Sequence, residues 1–222
     1  MTMDEGTQRP IVIDVWSDVM CPFCYMGDAL LTAAIDAFEH PASVVVRYRS
    51  YQLMPHLPRE AAVPVEELLV REKGIPRAQA AAMHAQVAAR GKQLGLAYQF
   101  DKVLAVNTRP AHRLSHFAKQ HGKQHALMRR LFEAYFTEGL HIGKDAVLSE
   151  LAAEVGLDPA AALDVLASGA FDDAVTADVE QAREMGIQGV PFFLFDGKHA
   201  VSGAQPVNSF AQALDAAWKT KE

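Results

Sequence analysis

Cys21 and Cys24, in the run Met20-Cys21-Pro22-Phe23-Cys24-Tyr25, are the only cysteines in a chain of 222 residues. Two thiols separated by two residues can do three kinds of chemistry. They can supply half of a zinc site, close a small structural disulfide, or cycle between dithiol and disulfide. Zinc needs two further ligands at close spacing, and there is no second cysteine pair. His112 and His116 stand four apart in "AHRLSHFAKQHG", but they flank an apolar stripe of Ala111, Leu114, Phe117 and Ala118. No metal site is therefore expected. A structural bridge over two intervening residues would close a loop too short to restrict the unfolded chain much. A redox-active pair is what the residue types and spacing favour.

The flanking residues say how such a pair would be held. Ile11 to Trp16, "IVIDVW", is apolar and β-branched, the pattern of a buried strand. After Cys21, "YMGDALLTAAIDAFE" carries Leu30, Leu31, Ala34, Ile35 and Phe38 at helical spacing, and His40-Pro41 ends that helix. "SVVVRYRSY" reads as the next strand, giving a strand–CxxC–helix–strand unit. Pro22 suits the first helical turn, where a missing N–H loses nothing, so Cys21 falls at the N-cap. Free backbone N–H groups and the positive end of the helix dipole then favour its thiolate. Cys24 lies one turn further in, on the same face and more buried. Cys21 is thus expected to attack and carry the mixed disulfide, and Cys24 to resolve it, with Pro22 and Phe23 tuning the couple.

A second motif lies far along the chain. Gly189-Val190-Pro191-Phe192-Phe193 precedes "LFDGKHAVSG", whose Asp196-Gly197 between two apolar runs is a hairpin signal. Alone, Pro191 reads as a strand boundary. Together with the early strand–CxxC–helix, Val190-Pro191 points to a thioredoxin-like arrangement. Between the two motifs, from about residue 63 to 158, the pattern is helical, Ala- and Leu-rich, and punctuated by glycines. The expected fold class is α/β, a thioredoxin fold interrupted by an all-helical insert. Residues 10–60 and 170–222 would form the thioredoxin-like part and 61–169 the insertion.

Composition narrows the partners. The chain is 50% hydrophobic and 22% charged, an ordinary globular mix. A net charge of −6 and no basic run argue against nucleic acid. No segment has the roughly 20 apolar residues of a membrane span. The first ten residues, "MTMDEGTQRP", lack the basic and apolar regions of a secretory signal, so the expected location is the cytoplasm.

"IVIDVWSDVMCPFCYMG", "AHRLSHFAKQHG", "LFEAYFTEG" and "GVPFFLFDGKHAVSGAQP" together resemble the DsbA-like thioredoxin family, most nearly its FrnE-type branch, grouped with 2-hydroxychromene-2-carboxylate isomerases. The resemblance spans about Ile11 to Trp218. It implies Cys21 as nucleophile, Cys24 as resolving cysteine, and a cis peptide at Val190-Pro191 whose backbone pairs with an extended substrate. It also implies a buried acid on the first strand as proton acceptor for Cys24. Asp14 stands on that strand; the alternative is an ordinary hydrogen-bonded aspartate, while Asp18 reads as a turn or capping residue. "NTRPAHR" resembles a recurrent family segment, so Asn107 and His112 would contact the active-site cleft. The alternative there is a helix start, with Asn107 or Thr108 capping and Pro110 in the first turn. Met20 and Met26 would form either an apolar rim or core.

Three functions follow, from different classes. The first is a protein thiol–disulfide oxidoreductase or isomerase acting on cysteine-containing polypeptides or low-molecular-weight thiols. It needs no metal or organic cofactor, with glutathione as a conceivable co-substrate. The second is a glutathione-dependent isomerase or transferase, against which the retained cysteine pair argues. The third is a peptide-binding chaperone module in which the thiols are dispensable.

Overall fold

The computed structural model describes residues 9–59 and 61–220. Most of the N-terminal segment read above for a secretory signal lies outside them. The central sheet has four strands: β1 (Ile11–Ser17), β2 (Val44–Ser50), β5 (Phe192–Phe195) and β6 (His199–Ser202), in the order β2-β1-β5-β6. β1 runs parallel to β2 in unbroken register from Ile11↔Val44 to Ser17↔Ser50. It pairs antiparallel with β5, placing Val15 opposite Phe193. The β5–β6 turn has Asp196 at φ 48° and Gly197 at φ 70°, the left-handed pair that a tight hairpin needs. The Asp196 carboxylate also accepts the Val12 N–H at 2.8 Å, tying the hairpin to the start of β1.

A period of two divides β1 into two faces. Ile11, Ile13 and Val15 point into the main core, under α1 (Pro22–Asp36) and α9 (Val207–Lys219). Trp16, on the other face, packs with Ala182 of α8 (Asp172–Glu184) and with Ile187. α1 buries Met26, Leu30, Leu31 and Ala34, the spacing read from the sequence. Burying a side chain such as Leu31 contributes about 1.5–3 kcal/mol, so this face alone secures the helix that carries the cysteines.

Between β2 and α8 the chain is mainly helical. α2 (Val65–Lys73) and α3 (Arg77–Gln93) form one pair. α4 (Arg109–Gln120), α5 (Gln124–Glu133), α6 (Asp145–Glu154) and α7 (Pro159–Ser168) form a second cluster. α4 is its centre, buried continuously from Pro110 to Ala118. The expectation of an all-helical segment needs one correction. β3 (Val63–Pro64) and β4 (Leu104–Ala105) pair as a two-residue antiparallel ladder. α5 continues directly into a wide helical turn over Ala134–Glu138. Among the described residues no helix is long and apolar enough to cross a membrane.

Candidate active site

β1 ends at Ser17, a short turn follows, and α1 begins at Pro22 with Cys21 as its N-cap. The Cys21 N–H donates to the Asp18 carbonyl at 3.0 Å, and the Cys24 N–H donates to the Cys21 carbonyl at 3.0 Å. Cys21 is 4% exposed and Cys24 2%, and both are free thiols. The Cys21 Sγ lies 3.5 Å from the Val190 carbonyl. Val190-Pro191 is cis, and the Pro191 ring sits against Gly27 of α1. A Cβ at Gly27 would lie 2.9 Å from Pro191 Cγ and 2.9 Å from Phe193 Cζ, so only glycine allows helix and loop this approach. Two motifs 169 residues apart in sequence thus meet at one sulfur. Phe23 stands on the rim at 40% exposure, while Met26 is core and Met20 is nearly covered.

The two thiols occupy different surroundings. Burial pushes the Cys24 thiol well above its ordinary value, and the neighbouring Cys21 thiol adds to the rise. The Ser17 hydroxyl and the Asp18 backbone pull the other way without offsetting it. Ser17 Oγ is buried and engages no oxygen or nitrogen partner, which leaves it available to a thiolate at Cys24. The Tyr135 hydroxyl is also buried without a partner, and burial, with the Asp18 charge, holds its phenol protonated.

Asp14 does not serve these thiols. It stands three residues before Ser17 and so on the opposite face of β1, where Arg47 holds it at 2.7 Å and Arg49 at 2.8 Å. The proton-acceptor expectation is corrected on that ground: strand parity directs its carboxylate away from Cys24. The acid beneath the dithiol turn is Asp18, fully buried. Its carboxylate accepts the Leu53 N–H at 2.7 Å and lies 3.3 Å from His112 Nε2. Asp18 is a turn residue, as its type suggested, but it is also tied to the segment that follows β2 and to α4.

His112 is 2% exposed, so it supports the turn from beneath rather than lining a cleft. Asn107 caps the approach to α4, accepting the Arg109 N–H at 2.9 Å and donating to the Leu57 carbonyl at 2.6 Å. Its helix-start role is the one observed, although it also borders a cavity of about 210 Å³ with Arg59, Arg109 and Arg113. Ser17 and Gly27 escaped the sequence reading, which took Asp18 for a turn or capping residue without its link to His112. Only the nearness of Ser17 to Cys21 could have drawn attention to it.

A family model for the DSBA-like thioredoxin domain matches residues 12–215. The chain belongs to that family. It is 30% identical over 211 residues to the uncharacterized protein YwbO of Bacillus subtilis (strain 168), covering 94% of this chain and 98% of that one. The crystal structure of a probable DsbA oxidoreductase, SCO1869 from Streptomyces coelicolor, superposes with a TM-score of 0.89 at 37% identity, over 94% of this chain and 90% of that one. At 18% identity, cytosolic disulfide reductase DsbM from Pseudomonas aeruginosa, with GSH, shares the fold. Its TM-score is 0.67, over 94% of this chain and 99% of that one. The fold is that of DsbA-like oxidoreductases, which supports a general role in thiol–disulfide exchange.

Proposed function

We propose that the protein is a thiol–disulfide oxidoreductase whose Cys21–Cys24 pair cycles through a mixed disulfide with substrate. The observation that carries this reading is the placement of the dithiol: Cys21 sits at a helix N-terminus with its sulfur beside the Val190 carbonyl, and Cys24 lies buried behind it, where burial raises its thiol. In the reducing direction the Cys21 thiolate attacks a substrate disulfide R–S–S–R′, forming Cys21–S–S–R and releasing R′–S⁻, which takes up a proton. Cys24 then gives up its proton and attacks Cys21 Sγ, releasing the second thiol and closing the internal disulfide. Two electrons pass to substrate, and the reverse sequence oxidises a substrate dithiol. A thiolate stabilised at Cys21 favours the reduced protein and makes the oxidised form a better oxidant.

The substrates proposed are cysteine-containing polypeptides, laid along Val190 as an added strand, or low-molecular-weight thiols. Glutathione is the co-substrate favoured by the glutathione-containing structure of DsbM, and the cytosolic description of that protein supports a cytoplasmic location here. No metal or organic cofactor is needed for this chemistry.

Equilibration in glutathione redox buffers tests the reading, with Trp16 fluorescence as reporter. The expected result is a single two-electron transition that disappears in Cys21→Ser. A dithiol that never closes at any glutathione ratio would reject the mechanism. Activity with a glutathione-dependent substrate that survives Cys24→Ser would favour the isomerase or transferase alternative.

A further inference from the structure

The dithiol turn is also held from the helical segment. Tyr98 lies in the loop between α3 and β4, and its hydroxyl donates to the Pro22 carbonyl at 2.7 Å. Its ring is fixed on several sides, against Tyr25 at 5.6 Å, Phe100 at 5.3 Å and Phe136 at 5.1 Å between centroids. Gly91 of α3 makes the space: a Cβ there would lie 2.2 Å from the Tyr98 ring. Burial, followed by the influence of Tyr25 and of both cysteines, pushes the phenol upward, so the hydroxyl remains a donor at neutral pH.

The Pro22 carbonyl belongs to the peptide unit whose N–H is that of Phe23. Phe23 is the second residue of α1, so its N–H has no carbonyl one turn earlier within the helix. N-cap side chains accept from the second or third helical N–H. Here the third, that of Cys24, already donates to the Cys21 carbonyl. The Cys21 thiol faces the Val190 carbonyl and accepts no capping bond, so the Phe23 N–H is the donor left for the sulfur once it has lost its proton. A hydrogen bond accepted at one end of a peptide unit polarises it and strengthens the donor at the other end.

We propose that Tyr98 is a positioning residue for the redox couple: its bond to the Pro22 carbonyl fixes and polarises the Pro22–Phe23 peptide, so that the Phe23 N–H stabilises the Cys21 thiolate. The helical segment thereby tunes the dithiol, favouring its reduced form and raising its potential. This inference rests on the dithiol reading above.

Tyr98→Phe removes one oxygen atom and keeps the ring among its aromatic neighbours. Wild type and variant are equilibrated in the same glutathione buffers, and the ultraviolet absorbance of the thiolate is compared in the reduced proteins at fixed pH. The equilibrium constant for oxidation of the dithiol by glutathione disulfide should rise about 3–10-fold in the variant, a fall in potential of about 15–30 mV. The thiolate absorbance should fall as well. An unchanged equilibrium constant with a lowered unfolding midpoint would show the hydroxyl to be merely structural and overturn the proposal, as would a shift in the opposite direction. If wild type forms no internal disulfide, it is the dithiol reading that fails, and the thiolate absorbance still decides the effect of Tyr98.

Discussion

The two faces of β1 are both buried, and they handle polar chemistry in opposite ways. On the face toward α8, Asp14 is held by Arg47 and Arg49, and Arg49 also reaches Asp178 at 3.1 Å. Asp178 accepts the Ser50 N–H at 2.9 Å and lies 3.1 Å from His116, while its backbone carbonyl accepts the Trp16 indole N–H at 3.1 Å. Although burial alone would raise the Asp178 carboxyl, His116, Ser50 and Arg49 together hold it below its ordinary value. On the face toward α1 the buried acids are also paired, Asp18 with His112 and Asp28 with Tyr48 and His125. Around Cys24 itself, however, lie sulfur and apolar groups, and the hydroxyls of Ser17 and Tyr135 go without oxygen or nitrogen partners. A paired charge network stabilises its ionised members. A dry, incompletely paired face disfavours a new charge and so keeps the resolving thiol protonated until it is needed. The difference teaches that the buried acids of this sheet are not interchangeable: strand parity decides which of them belong to the scaffold.

The largest break of this contrast comes from the charged face. Asp178→Ala strips Arg49, His116 and the Ser50 N–H of a shared partner and should lower unfolding stability by about 3–5 kcal/mol in urea titrations. The dithiol equilibrium with glutathione should stay at its wild-type value. A large shift in that equilibrium would mean that the two faces are electrostatically coupled and that Asp178 is more than scaffold.

A finer test sets Asp14 against Ser17. Asp14→Asn weakens its two arginine contacts and should lower stability by about 1–3 kcal/mol, without altering the pH dependence of mixed-disulfide release by Cys24. Ser17→Ala should push the Cys24 thiol higher still, because the hydroxyl acts to lower it, and release should then require more alkaline solution. If Asp14→Asn alone shifts the release profile, Asp14 rather than Ser17 acts on the Cys24 proton.

The smallest effect is on the pH dependence of stability. The Cys24 thiol is raised in the folded protein above its ordinary value of 9.0. Its contribution is therefore fully present below about pH 9 and is lost as pH climbs toward the folded value, because the unfolded chain releases its proton first. One such group gives a slope of at most about 1.4 kcal/mol per pH unit. Urea midpoints of the reduced protein above pH 9 should fall less steeply in Cys24→Ala than in wild type. Parallel curves would place the pH dependence elsewhere, with Tyr48 the first group to examine, since burial chiefly, and Asp28 beside it, raise its phenol too.

Much of the dithiol could be read from the chain because its determinants are local. The apolar run of β1, Pro22 after Cys21, the helical spacing of Leu30, Leu31 and Ala34, and Asp196-Gly197 each act within a few residues, so propensity and periodicity reveal them. Other features depend on distant residues. The side of the sheet that Asp14 faces became plain only once β1 lay between β2 and β5. His112, at helical spacing from His116, gave no sign that one would meet Asp18 and the other Asp178. Nothing near Tyr98 in sequence hints that its hydroxyl reaches Pro22, 76 residues away. Sequence alone determined which residues could do thiol chemistry and which elements would carry them, because those properties are set by residue type and local spacing. Tertiary structure alone decided which polar groups surround each sulfur, because burial and pairing are made by segments that meet only when the sheet and the helices close on one another.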